Sequence, residues 1–159
     1  MGEVYIDGVA QTVFGKDPRL LEEIMAEAGR EALKNSEGDS GHENQKPDFV
    51  VLGNYNYPGY EGQASLDVLV GERLRLSSTT PIFHVERGSS TGAAAIEVGY
   101  MLAQGGKKVL VISGEKMYSE NIDRKKVTEE TSKVITQAER QLGITMPVIA
   151  AIASKEYMH

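Results

Sequence analysis

Short apolar runs at three places set the limits on what this chain can fold into. Lys107 to Gly114 (Lys-Lys-Val-Leu-Val-Ile-Ser-Gly) is the clearest. Its continuous β-branched core, without polar alternation, marks a strand covered on both faces, as in a parallel sheet. Asp48-Phe49-Val50-Val51-Leu52-Gly53 has the same character, and Pro81 to Glu86 is a further extended run. A weaker alternation from Val4 to Thr12, broken by Gly8, reads as a first strand running into a loop.

Helical patterns fall between these runs. Asp17-Pro18 reads as N-cap and first helical residue, and Leu20, Leu21, Ile24, Met25, Ala28, Ala32 and Leu33 continue one apolar stripe. Asn35 to Pro47 is polar and without periodicity, a surface loop. A tyrosine-rich loop from Asn54 to Gly62 leads to a helix over about Gln63–Leu76. A helix of small residues spans about Ser90–Gln104 and ends at Gly105-Gly106. Strand and helix therefore alternate, which predicts an α/β fold: a mainly parallel sheet, right-handed crossovers and helices on both faces. Functional loops belong at the carboxyl ends of the strands. From Tyr118 the character changes. A charged stretch is followed by helical patterns over roughly Val127–Leu142 and Pro147–Tyr157, with Gly143 between them and no further strand.

Composition excludes several classes. With 17 basic against 23 acidic residues the net charge is −6, which argues against nucleic acid as partner. The chain has no cysteine, so disulfides, thiolate zinc sites and thiol chemistry are out of reach. No apolar stretch has the length of a membrane span, and the N-terminus carries no signal-like apolar core. These features read as a soluble, cytoplasmic protein of 159 residues. Metal-ligand spacing and phosphate-cradling glycine loops are both lacking, so neither a metal nor a nucleotide cofactor is expected.

The richest stretch chemically is Val85-Glu86-Arg87-Gly88-Ser89-Ser90-Thr91-Gly92-Ala93. It reads as a strand-to-helix elbow, where backbone N–H groups and the helix dipole favour negative charge at the tip. Gly88-Ser89-Ser90-Thr91-Gly92 matches G-x-S-x-G, with Ser90 as the nucleophile of a serine hydrolase. Such an enzyme needs a histidine base. Only His159 follows Ser90, while His42 lies in a polar loop and His84 sits in the preceding strand, where a satisfied core histidine is the default. Alternatively Ser89 merely caps the helix, with Gly88 and Gly92 permitting close packing.

A third reading comes from resemblance. Val4-Tyr5-Ile6-Asp7-Gly8 to Phe14-Gly15-Lys16, Gly62-Gln63, Val85-Glu86 with Ser89, Thr91-Gly92 and Ala93, Gly114-Glu115-Lys116-Met117, and Met146-Pro147 to Tyr157-Met158-His159 stand in thiolase-like order. The chain resembles the N-terminal half of a thiolase, in particular thiolases of the sterol-carrier-protein type and archaeal acetyl-CoA acetyltransferases. The resemblance implies a thiolase-like α/β domain over 1–118 and the start of a helical loop subdomain over 119–159. It puts Ser89 at the position of the family's nucleophilic cysteine. A hydroxyl is far less acidic than a thiol and needs a strong base beside it. In thiolases the activating histidine and a second cysteine lie in a second half of the fold, beyond the residues this chain covers. A complementary chain, or a homo-oligomer, is therefore expected as partner, and an acyl-CoA thioester as substrate rather than as resident cofactor.

The resemblance implies a subunit or fragment of an acyltransferase of the acetyl-CoA acetyltransferase type, inactive without its complement. A non-catalytic assembly module of the same fold, and the serine hydrolase using Ser90, stay open beside it. Arg124-Lys125-Lys126 is either a solvated charged face or, in a thiolase-like subdomain, a contact for the phosphates of coenzyme A. Tyr55, Tyr57 and Tyr60 form either a self-packed loop or, in the neighbourhood where thiolases have their subunit interface, a partner surface.

Overall fold

The structure, a computed structural model, describes residues 3–36, 46–118 and 122–158. Three parallel strands form the sheet: β1 (Phe49–Gly53), β2 (Ile82–Val85) and β3 (Val109–Ser113), in the order β2-β1-β3. Val50 stands opposite Ile82 and Leu110, and Leu52 opposite His84 and Ile112. The central position of β1 explains its apolar sequence, because both faces and both edges are covered.

Helices pack on both faces, as the alternation predicts. On one side lie α1 (Leu21–Ser36) and α3 (Leu66–Arg73); on the other lies α4 (Thr91–Ala103). Val50, Leu52, Leu110 and Ile112 meet Leu21, Met25, Leu66, Val70 and Tyr57 in one buried cluster. The α4 face is built by small residues instead. A Cβ on Gly99 would collide with the Val111 side chain, and one on Gly53 would stand 3.0 Å from the Ala95 Cβ. The small residues of α4 thus bring its backbone down onto the sheet. Short helices complete the chain: α2 (Tyr57–Glu61), α5 (Arg124–Thr131), α6 (Gln137–Gln141) and α7 (Met146–Tyr157). Among the described residues no helix is long and apolar enough to cross a membrane.

Several sequence expectations need correction. Val4 to Thr12 forms no strand: its backbone lies along the end of α1, where Gly8 approaches the Ala32 carbonyl too closely for any Cβ. Asn35 donates its side-chain N–H to the Val9 carbonyl at 2.8 Å, and Tyr5, Ile6 and Val9 stay exposed. The first helix begins at Leu21 rather than at Pro18, because the Asp17 carboxylate turns back to the Arg19 backbone and guanidinium. The helix expected over Gln63–Leu76 starts only after Ser65, whose φ of 63° breaks the helical path. Within the tyrosine-rich segment the Asn56 side chain accepts from Gly59 N and caps α2, and Gly62 ends it at φ 72°. The pattern over Val127–Leu142 splits, since Thr136 and Glu139 form a capping box that restarts the chain as α6. His84 is exposed rather than in the core, because β2 is an edge strand. Of the expected loop over 35–47, residues 37–45 lie outside the described residues, as do residues 119–121 at the expected domain boundary.

Candidate functional site

The carboxyl ends of all three strands open into one cavity of about 710 Å³. Gly53, Asn54 and Tyr55 come from the end of β1; Gly88, Ser89, Thr91 and Gly92 from the elbow between β2 and α4; Ser113, Gly114 and Glu115 from the end of β3. Thr131, Val134, Met146, Pro147 and Ala150 close the outer side. The cavity has an apolar body with a few convergent polar groups, the usual make-up of a small-molecule site.

The elbow is fixed by its own side chains. The Glu86 carboxylate accepts from Gly88 N at 2.7 Å, and Gly88 takes a φ of 52° that favours glycine. A 3-10 turn over Gly88–Ser90 then leads into α4. Thr91 ties both sides of that turn: its hydroxyl donates to the Gly88 carbonyl at 2.7 Å and accepts from Arg87 N at 2.8 Å. Ser90 donates to the Arg87 carbonyl at 2.9 Å and is not among the cavity-lining residues. Ser89 is exposed and does line the cavity, at the foot of α4. The capping bonds at this turn are thus made by Thr91, and Ser89 is left facing the cavity.

Opposite the elbow, three consecutive residues after β3 hold the tyrosine segment. The fully buried Asn54 accepts from Tyr57 N at 2.7 Å and donates to the Gly114 carbonyl at 2.9 Å. The Glu115 carboxylate accepts from Tyr55 N at 2.9 Å and Asn56 N at 3.3 Å. Burial pushes the Glu115 carboxyl above its ordinary range, against the pull of those N–H donors. Lys116 lies beside Glu61 at 3.6 Å and donates to the Arg19 carbonyl at 2.6 Å, with both side chains nearly buried. Segment 54–61 is therefore bound to the sheet from both ends.

The tyrosines divide. Tyr57 and Tyr60 are buried inside this chain rather than offered to a partner. Tyr57 donates to Glu22 at 3.0 Å, and burial raises its phenol strongly. Burial, with the nearby Glu115 charge, pushes the Tyr60 phenol up to about 12. Only Tyr55 of the three reaches the cavity.

Arg124, Lys125 and Lys126 lie in the first turn of α5 and are not among the cavity-lining residues; Lys125 stands 3.9 Å from Glu129. His84 lies on β2 and also does not line the cavity, while His42 and His159 fall outside the described residues. Thr91, Asn54 and Glu115 carry the geometry of the site, and sequence reasoning gave none of them a role. A signal existed for Asn54: an asparagine directly after a strand commonly accepts from a backbone N–H a few residues on. The chain matches no protein-family model, and no curated protein matches it in sequence.

Proposed function

We propose that the chain is one subunit of a thiolase-like acyl-CoA acyltransferase, of the acetyl-CoA acetyltransferase type, with Ser89 as acyl acceptor. The observation that carries this reading is the joint placement of Ser89. It stands at the tip of a strand-to-helix elbow, at the foot of α4, and on the wall of an apolar cavity of about 710 Å³. In the proposed step the Ser89 oxygen adds to the thioester carbonyl. The C–S bond breaks and coenzyme A leaves as thiolate. The hydroxyl proton passes to a base and on to the leaving sulfur, and Ser89 is left as an acyl ester. Backbone N–H groups at the start of α4 suit the oxyanion of that step. Among the described residues no histidine lines the cavity, so the base is assigned to a complementary chain.

A second reading, a non-catalytic assembly module of thiolase-like fold, is favoured by the outer side of α4. Ala93, Ile96, Tyr100 and Met101 form an exposed, largely apolar stripe there, with Phe83 exposed on the edge strand. Native mass spectrometry of the protein purified from its source, before and after addition of acetyl-CoA, separates the two. A complex with a second, histidine-bearing chain and an acyl mass gain on the Ser89 peptide supports the acyltransferase. A homo-oligomer without bound coenzyme A or acyl gain refutes it and leaves the module. Labelling of Ser90 by a fluorophosphonate probe is the result that points to a hydrolase instead.

A further inference from the structure

We infer that Glu130 is a positioning residue that latches the outer wall of the cavity onto the α/β unit. The cavity has two sources. Its floor comes from the ends of the three strands, and its outer wall, including Thr131, Val134 and Met146, comes from segment 122–158. Among the described residues, the hydrogen bonds that cross between these two parts both end on Glu130. Its backbone carbonyl accepts from the Tyr55 hydroxyl at 2.8 Å, and its carboxylate accepts from the Asn56 side-chain N–H at 2.5 Å.

The surroundings fit such a role. The Glu130 side chain is only 12% exposed although it sits on a short surface helix. Gly59 makes room for it, since a Cβ there would collide with both the Glu130 carboxylate and the Asn56 amide. Lys133, one turn on, pairs with the same carboxylate at 2.5 Å and fixes its rotamer. Burial works to raise the Glu130 carboxyl, and the bonds from Lys133 and Asn56 outweigh it, keeping the group ionised as an acceptor. The other end of the latch is equally firm. Tyr55 N and Asn56 N are both held by Glu115 at the end of β3. A continuous chain of bonds thus runs from the sheet through Glu115 and Tyr55 to Glu130. The latch does not depend on which ligand the cavity takes.

Amide hydrogen exchange of the full chain, read by mass spectrometry, tests it, because exchange reports local opening. In Glu130→Ala, amides of residues 124–141 are expected to exchange about tenfold faster, the order set by losing a charge-assisted hydrogen bond. Amides of β1 and β3 keep their wild-type rates. Glu130→Gln, which retains an acceptor for Asn56, recovers most of the protection. Glu129→Ala, on the same helix with its side chain in solvent, leaves it unchanged. Equal rates in Glu130→Ala and Glu129→Ala overturn the latch. So does an equal acceleration in β1 and β3, which marks Glu130 as a general stability group. Should Glu130→Ala not fold, Tyr55→Phe removes one crossing bond from the other side. Wild-type exchange over 124–141 in that variant also overturns the inference.

Discussion

Replacing Asn54 by alanine removes the side chain that joins β1, β3 and α2 beneath the cavity. The bonds to the Tyr57 N–H and the Gly114 carbonyl go, as does the contact with the Glu115 carboxylate, and the first two groups are stranded where Asn54 is 1% exposed. A lost hydrogen bond costs about 0.5–1.5 kcal/mol net, and a stranded buried group about 1–3 kcal/mol. With partial relaxation the sum is about 2–4 kcal/mol, a large part of the ~5–15 kcal/mol that holds an ordinary domain. Urea unfolding followed by circular dichroism reads this directly. With a slope of about 2 kcal/mol/M, the midpoint falls by about 1–2 M. Asn54→Asp sharpens the test. It keeps the acceptor for Tyr57 N but loses the donor to Gly114, and it puts a second carboxylate beside Glu115, with which Asn54 hydrogen-bonds. The folded pKa of that new carboxyl is raised above its unfolded value, so the folded state takes up its proton more readily. The aspartate variant is therefore no more stable than the alanine variant at pH 7, and it gains on the alanine variant as the pH falls toward 4. A midpoint shift below about 0.3 M for Asn54→Ala, or parallel pH profiles for the two variants, refutes the assignment of Asn54 as the buried tie.

Glu115 obeys the same rule in the natural chain. Its carboxyl is raised in the folded state, so stability is lost as the pH rises from the ordinary carboxyl range through its folded value and levels off above it. The stability of Glu115→Gln relative to wild type should rise between pH 4 and pH 7, and a flat difference across urea melts in that range contradicts the burial argument. Tyr57→Phe strands an oxygen of the buried Glu22 and should cost about 1–3 kcal/mol in the same melts. Gly99→Ala forces a methyl against Val111 and should destabilise by about 1–3 kcal/mol; an unchanged melting temperature means that α4 does not rest on the sheet as described.

The sheet was legible because its signals are local and repeat. Phe49 to Gly53 and Val109 to Ser113 are apolar on both faces, and a strand with that pattern has few places to go except the middle of a parallel sheet. Helix existence was legible too, while helix ends were not. The cap expected at Asp17 was taken by Arg19, and Ser65 broke a helix through a left-handed conformation that nothing in its neighbours announces. Val4 to Thr12 shows a different limit. An alternating pattern licenses a strand only where a sheet edge receives it, and this segment follows α1 instead.

The site divides along the same line. The elbow that carries Ser89 was legible because it is a short-range object: strand, glycine, hydroxyls and small-residue helix lie within a dozen residues. What shapes the space in front of Ser89 is long-range. Asn54 reaches Gly114 across 60 positions, Tyr55 reaches Glu130 across 75, and Lys116 reaches Arg19 across 97. None of these pairs has a spacing rule, because each is set by where parallel strands end and which loops meet there. The sequence of a parallel α/β unit therefore points to the elbow at a strand's carboxyl end well before it reveals the wall in front of that elbow. In this chain one tyrosine-bearing segment joins the two parts of that wall: Asn54, Glu115 and Lys116 bind it to the sheet, and Glu130 binds it to the outer helices. That junction is why single substitutions along segment 54–61 should alter the cavity although only Asn54 and Tyr55 of the segment line it.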